Sequence, residues 1–407
     1  MGYEVAHAYI ERYADLLVNF ALGGGAGIGR GDVVRVMASE SAKPLYAEVC
    51  RAVWRAGGHV LGDYVPDDDR TMSLTRDFYE IAGEQQHEFF PEAYSRGLIE
   101  QIDHMVFIRS FADPRALADV DPAKLLATQR AFGPLVEWRT AKESAGRLSW
   151  TVGNYGTEAM AAEAGLSIEE YWQEIIKACF LDQPDPKASW RTVEDQLGTY
   201  MEALDSLPID RLHVLGTDVD LWLTVGEKRR WVGGGGRNIP SFEIFTSPDW
   251  RGTEGWIRFS EPLYTHGSLI TGIELAFHEG LLTRAIAAEG EHLLSELLGT
   301  ENANRVGEFS LTDSRLSPIT RFMADILFDE NVGGPFGNTH IAMGKSLLVC
   351  YDGNPDKLSA AEAERLGFNE SVVHTDIVST TDREVTAVMR DRSERTIYAA
   401  GQFALDE

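Results

Sequence analysis

The segment SVVHTDIVST (residues 371–380) sets an imidazole and a carboxylate two positions apart in an apolar run. Side chains two apart leave a β-strand on the same face, so His374 and Asp376 would point together. THIAMG puts His340 in a second apolar strand ended by glycine, and VGEFSL puts Glu308 in a third. IPSFEIFTSPD puts Glu243 between Phe242 and Ile244. Acidic side chains are rare in apolar strands unless they are paired or bound to a cation. Two imidazoles and three carboxylates suit borderline or hard divalent metals such as Zn, Co, Mn or Mg. Two such ions need a bridging carboxylate, which this set could supply. Residue types alone leave two readings open, a metal site and groups that merely pair with one another.

Other motifs carry less chemistry. FHEG at His278 and Glu279 is half of an H-E-x-x-H zinc motif, but position 282 is Leu282, so the pair reads as a helix surface. The glycine cluster Gly23–Gly31 lacks dinucleotide-binding spacing and follows a helix, so it reads as a helix end and loop. Gly233–Gly236 lacks the lysine of a phosphate loop and reads as close backbone packing or a loop beside a site. His59, His87, His104, His213 and His266 show no partner pattern, and no G-x-S-x-G nucleophile motif occurs.

The elements that must position these residues follow from pattern and length. A chain of 407 residues predicts two domains. We place them at residues 1–207 and 208–407, with LDSLPIDR as a short linker. Helix, strand, helix, strand alternate through VVRVMAS, AKPLYAEVCRAVWRAGG and HVLGDYV, and HMVFIRS and RLSWTVGNY add further strands. This predicts an α/β layer with a mostly parallel sheet. Ser167 caps a helix with Glu169 and Glu170 in its first turn. Beyond Arg211 the pattern predicts a mixed α/β domain carrying the candidate ligands: paired strands in LHVLGTDVDLWLTV, a helix over residues 273–298 and a closing hairpin from Ser379.

Composition excludes some functions. The hydrophobic content of 44% and charged content of 25% are those of a soluble globular protein. A net charge of -27 argues against nucleic acid and anionic membrane as partners. Cys50, Cys179 and Cys350 are far apart and form no CxxC pair, which fits a reducing cytoplasm. The opening MGYEVAHAYIERYADLL predicts no signal peptide, and no apolar run approaches membrane-spanning length.

Several ordered segments resemble the family of aminopeptidases T and S, the thermophilic leucyl-type metallo-aminopeptidases. They are NIPSFEIFTSPD, GEFSLTDSRLSPITRF, HIAMG and HTDIV, with AGLSIEEYWQEIIKACFLDQPDP matching an earlier helical segment. The resemblance implies five ligands, Glu243, Glu308, His340, His374 and Asp376, holding two divalent ions with one carboxylate shared. It also implies a homodimer that releases N-terminal residues from peptides; at a two-metal site a free carboxylate, or Glu308 in a second role, would take the water's proton. The family places a tyrosine seven residues after the HIAMG histidine, where this chain has Leu347; Tyr351 is the nearby substitute. The loop GGPFGNT before His340 is longer than the family's. Two other readings remain. One is a ring-cleaving dioxygenase of the same clan with a single Fe(II) on His340, His374 and Asp376. The other is a metal-stabilised binding protein without catalysis.

Overall fold

The computed structural model describes residues 3–69, 71–265 and 267–405. His266 lies outside them. The chain forms two compact units, Met1–Arg191 with Gly235–Pro240, and Thr192–Gly234 with Ser241–Glu407. Within LDSLPIDR, helix Pro186–Ser206 and the strand that starts at Ile209 leave only Leu207 and Pro208 between them.

The first unit is the expected α/β layer. Strands β1 (Val33–Ser39), β2 (His59–Val65), β3 (His104–Arg109) and β4 (Ser149–Asn154) form a parallel sheet in the order β2-β1-β3-β4. In β1, Val34, Val36 and Ala38 are buried and alternate with half-buried residues, the period of a strand packed more heavily on one side. Helix Lys43–Ala56 connects β1 to β2 and ends at Gly57, whose φ of 86° is the left-handed cap that glycine favours. Helix Ile168–Ala178 begins with the expected capping box of Ser167 and Glu170.

The second unit is built on antiparallel sheets. Its strands are β5 (Ile209–Gly216), β6 (Val219–Thr224), β7 (Val232–Gly233), β8 (Glu243–Thr246), β9 (Asp249–Arg258), β10 (Leu263–Thr265), β11 (Ser268–Ile270), β12 (Glu274–His278), β13 (Leu281–Ile286), β14 (Val306–Thr312), β15 (Asn338–Gly344), β16 (His374–Ser379), β17 (Arg383–Met389), β18 (Glu394–Ala399) and β19 (Gln402–Phe403). Eight strands run in the order β13-β12-β9-β6-β5-β17-β18-β19. Five others run β16-β15-β14-β8-β7, and β10 with β11 make a small hairpin. The closing hairpin expected from the sequence is β17 with β18.

The expected helix over 273–298 is replaced by a hairpin, β12 with β13, and only Glu291–Gly299 is helical. The reason is the turn. Glu279 and Gly280 both take positive φ, at 49° and 78°, between the paired residues His278 and Leu281. Two successive residues of that conformation make the tight reverse turn that matches strand twist. A Cβ on Gly280 would lie 2.4 Å from the Trp250 carbonyl, so the turn also depends on glycine's small size. His278 thus ends a strand, where its Nδ1 lies 3.1 Å from Glu254 Oε2.

Arg383, fully buried at the start of β17, ties the eight-stranded sheet to the five-stranded one. It donates to Asp218 at 3.3 Å, to the Arg258 carbonyl at 2.7 Å and to Thr339 Oγ1 in β15 at 2.8 Å. Replacing it with leucine leaves the Asp218 carboxylate without its cation and the Thr339 hydroxyl without its donor. Arg383→Leu is expected to cost about 3 kcal/mol, the lower end for breaking a buried ion pair from one side. Urea unfolding followed by a probe in the second unit would measure this.

Candidate metal centre

Sheet register alone brings the five candidate ligands to one face. Thr312 is opposite Glu243, Ser310 is opposite His340, Ala342 lies between Glu308 and Asp376, and Gly344 is opposite His374. Directly opposed residues share a face, and residues two apart on a strand do too. Glu308, Ser310 and Thr312 therefore carry Glu243, His340, His374 and Asp376 onto the same side. Ala342 and Gly344 fill the intervening positions with the smallest side chains, leaving room between the charged groups.

A β-bulge sets the position of Glu308. The pairing of β14 with β15 shifts between Val306 and Glu308, and Gly307 is the extra residue. A Cβ at Gly307 would lie 2.3 Å from the Lys345 carbonyl and 2.6 Å from that of Gly344. The glycine of the GEF motif is thus a steric requirement of the strand crossing beside the site.

Within this face Glu308 divides its two oxygens. His340 Nε2 is 3.3 Å from Glu308 Oε1 and 3.2 Å from Glu243 Oε2. His374 Nε2 is 3.7 Å from Glu308 Oε2 and 3.4 Å from Asp376 Oδ1. Two groups result, Glu243–Glu308–His340 and Glu308–His374–Asp376, and in each the donor atoms lie within 4.8 Å of one another. Support from the surrounding shell fits metal binding. His374 Nδ1 lies 2.8 Å from the Lys345 carbonyl, which can only accept, so Nδ1 carries the proton and Nε2 is free as a ligand. Ser310 Oγ donates to Glu243 Oε2 at 3.0 Å. Among the described residues, no lysine or arginine pairs with Glu243, Glu308 or Asp376. Two buried carboxylates and the half-buried Asp376 against two imidazoles leave negative charge that divalent cations would neutralise, so the donor set fits them.

A fourth carboxylate belongs here that the sequence reading did not name. Glu330 is buried, and it feels the charges of Glu243, Asp376, His340 and Glu308. It follows the short helix Ile326–Asp329, which Asp325 caps by accepting from the Leu327 N–H. Its neighbours fix it. Asp329 accepts from the N–H groups of Met323 and Asp325 at 2.6 and 2.9 Å, and the Asn331 side-chain oxygen accepts from Phe242 N–H at 2.6 Å. The signal in sequence was the acidic pair of FDEN inside the apolar stretch ADILFDENVGG.

Tyr351 is placed apart from these groups. It packs in a cluster with Leu366 and Phe368, with the Lys228 ammonium 5.9 Å from its ring centre. No hydrogen bond joins it to any of the five ligands among the described residues. Leu347 donates its backbone N–H to Ser247 Oγ at 2.8 Å and offers no side-chain donor. The single-iron triad is not assembled either. His340 falls in one donor group, and His374 with Asp376 in the other.

The electrostatics follow from burial against mutual attraction. Burial pushes Glu308 up, opposed by the His340 hydrogen bond and the His374 charge. Burial, then the charges of Glu243 and Asp376, push Glu330 well above the carboxylate range. Burial disfavours charged imidazoles, but Glu243 and Glu308 outweigh it at His340, which is held well above its ordinary value. At His374 burial is again outweighed, by Asp376 and Glu308, and the imidazole is pushed up to about 9. Burial also opposes the charge of Asp376, yet His374 and His340 hold its carboxyl below the usual range.

Comparison with known proteins agrees with a metal centre. The family model of the thermophilic metalloproteases (M29) matches residues 6–403. Aminopeptidase 2 of Geobacillus stearothermophilus is 27% identical, over 98% of this chain and 98% of its own. The solved structure of wild-type AmpT from Thermus thermophilus matches with a TM-score of 0.81 at 25% identity, covering 97% of this chain and 99% of that one. The 2,5-dihydroxypyridine dioxygenase of Pseudomonas putida KT2440 matches with a TM-score of 0.51 at 14% identity, over 99% of both chains, and shares the fold alone.

The pKa directions give a pH-dependent prediction for metal-free protein. Glu308, Glu330, His340 and His374 all have folded values above their unfolded ones. The stability they contribute is full below the unfolded values, about 4.3 for Glu and about 6.5 for His, and is lost as pH rises. For His374 that loss runs through about 9. Asp376 works the other way, its contribution being lost only as pH falls below the ordinary Asp value. Divalent ions bind the deprotonated donors and replace the lost protons. The rise in Tm on adding Zn, Co or Mn to chelator-treated protein is therefore expected to be larger at about pH 8.5 than at about pH 6. Scanning calorimetry at the two pH values would check it, and an equal or smaller rise at the higher pH would contradict the assignment.

Proposed function

The chain belongs to the thermophilic metalloprotease family (M29) and is a metal-dependent aminopeptidase; we propose that it works through two divalent ions, Zn, Co, Mn or Mg, bridged by Glu308. The observation that carries this is the division of the Glu308 carboxylate, one oxygen against His340 and the other against His374. Glu243 and His340 would complete one ligand group, and His374 and Asp376 the other. The site belongs to the second of two domains, divided near residues 207 and 208. Peptide substrates, a homodimer and a cytoplasmic setting are part of the same reading.

Bound ions at such a site supply Lewis acidity and bring the pKa of a coordinated water toward neutrality. The chain's own residues do the rest. Glu330, a carboxylate outside the two ligand groups, is suited to take a proton from the nucleophilic water and return it to the leaving amine. Glu308 would share that role less readily, because its two oxygens already face His340 and His374. The α-ammonium of a peptide is drawn to the surplus of buried carboxylates, which favours cleavage at the chain's end. Leu347 stands in the family tyrosine's place, and Tyr351, packed against Leu366 and Phe368, is set apart from the site and is not expected to take over its role.

Elemental analysis of protein purified without chelator is expected to give two ions per chain, and Glu308→Gln is expected to lose at least one of them together with turnover. One ion per chain in the active wild type would refute the bridge.

Glu330→Gln is expected to keep both ions and to lower kcat by about 10²-fold or more, the scale of a lost general acid–base. Because the Tyr351 hydroxyl makes no bond to the site, Tyr351→Phe should change kcat less than about threefold. A loss near the 10²–10³-fold expected for a missing transition-state donor would give Tyr351 that role. Steady-state kinetics on an amino-acid amide, run beside metal analysis, separates the outcomes.

A further inference from the structure

The first unit contains a hydrogen-bonded chain of three residues types familiar from acyl transfer. Asp32 directly precedes β1, His104 opens β3 and Ser149 opens β4. Parallel pairing sets their ends side by side, with His104 in register with Ser149 and with Val34. Ser149 Oγ is 2.8 Å from His104 Nδ1, and His104 Nε2 is 2.9 Å from Asp32 Oδ2.

The proton positions follow from the partners. The hydrogen bond from His104 outweighs partial burial and holds the Asp32 carboxyl below the usual range, so Asp32 is an acceptor at neutral pH. His104 therefore carries its proton on Nε2, and Nδ1 is the bare nitrogen that accepts from the Ser149 hydroxyl. The ring is turned relative to the familiar serine protease, where the carboxylate sits on Nδ1. The chemistry survives the turn, because the basic nitrogen is again the one opposite the carboxylate. Gly23 N–H donates to Ser149 Oγ at 2.9 Å and fixes the hydroxyl in place.

All three residues line one cavity of about 650 Å³, within the size range of small-molecule sites. The imidazole is 12% exposed, enough to face the cavity without being freely solvated. Glu100, Asp103 and Arg147 also line it, as does Lys142, whose ammonium donates to the carbonyls of Ile99, Glu100 and Ile102. Three carboxylates, Asp32, Glu100 and Asp103, outnumber Lys142 and Arg147, and Lys142 is already committed to backbone carbonyls, so the cavity is better suited to neutral or cationic ligands than to anions.

We propose that Ser149, His104 and Asp32 form a second, metal-independent acyl-transfer site, with Ser149 as the nucleophile toward small neutral or cationic esters. Ser149 Oγ bonds to the acyl carbon while its proton passes to His104 Nδ1. The ester C–O bond breaks, and the leaving alcohol takes that proton. Water then gives a proton to Nδ1 and its oxygen to the acyl carbon, and Ser149 leaves with the proton restored. Asp32 orients the ring throughout and stabilises the imidazolium.

The test is treatment of the intact holoenzyme with an alkyl fluorophosphonate, followed by peptide mass spectrometry. The expected result is a phosphonyl adduct on Ser149, formed equally in the presence of chelator. His104→Asn should slow its formation by about 10²-fold or more, with far-UV circular dichroism showing that the variant is folded. Hydrolysis of p-nitrophenyl acetate should fall in parallel. An unlabelled Ser149 in the unaltered protein overturns the proposal without recourse to any variant. An undiminished labelling rate in folded His104→Asn overturns it too, and would leave the three residues as a clasp between strand ends.

Discussion

Glu308 sets one carboxylate oxygen against His340 and the other against His374, and the five-stranded sheet is organised around that division. A buried carboxylate is costly unless it is paired. Here Glu243 and Asp376 crowd Glu308, and Glu330 feels the charges of all three. Hydrophobic packing cannot hold such a cluster together, because each added acid raises the cost of the next. Strand pairing supplies the enclosure, and cations supply the charge. The surrounding details serve this arrangement: the Gly307 bulge turns Glu308, Ala342 and Gly344 leave space, and Arg383 anchors β15 from the neighbouring sheet.

The same arrangement separates the acids by role. Glu243, Glu308 and Asp376 sit on strands whose register is fixed on both sides or by a neighbour in the ladder. Glu330 comes from a loop held by Asp329 and Asn331. Strands give ligand positions little freedom, whereas a braced loop can present a carboxylate that is fixed in place yet outside the ligand groups. That difference in support is the physical basis for giving Glu330 proton transfer and the strand carboxylates metal binding.

The five candidate ligands on the strands were legible in the sequence because charge inside an apolar strand is conspicuous and H-x-D at period two defines a face. Glu330 was not, since an acidic pair in a loop looks like ordinary solvent-facing sequence until its burial is known. The hairpin at Glu279–Gly280 was misread as helix because its apolar residues fit both periods, and the turn conformation alone decides between them. His104 showed no partner pattern because its partners Asp32 and Ser149 are 72 and 45 residues away, brought close by the pairing of parallel strands. Sequence spacing reports neighbours along a strand or helix; it does not report register between strands.

The two ligand groups also differ in how firmly they are enclosed. His340 and Glu243 are 1% and 9% exposed, and β15 and β8 each have strands on both sides. His374 and Asp376 are 28% and 14% exposed, and they lie on β16, an edge of the sheet. An edge strand frays more readily than an interior one, and opening near its start would detach two ligands of one group while leaving the other whole. A metal centre on these residues would be kinetically lopsided: exchange with the surroundings would run through the β16 side, and the inner group would hold its place while the outer one reassembles.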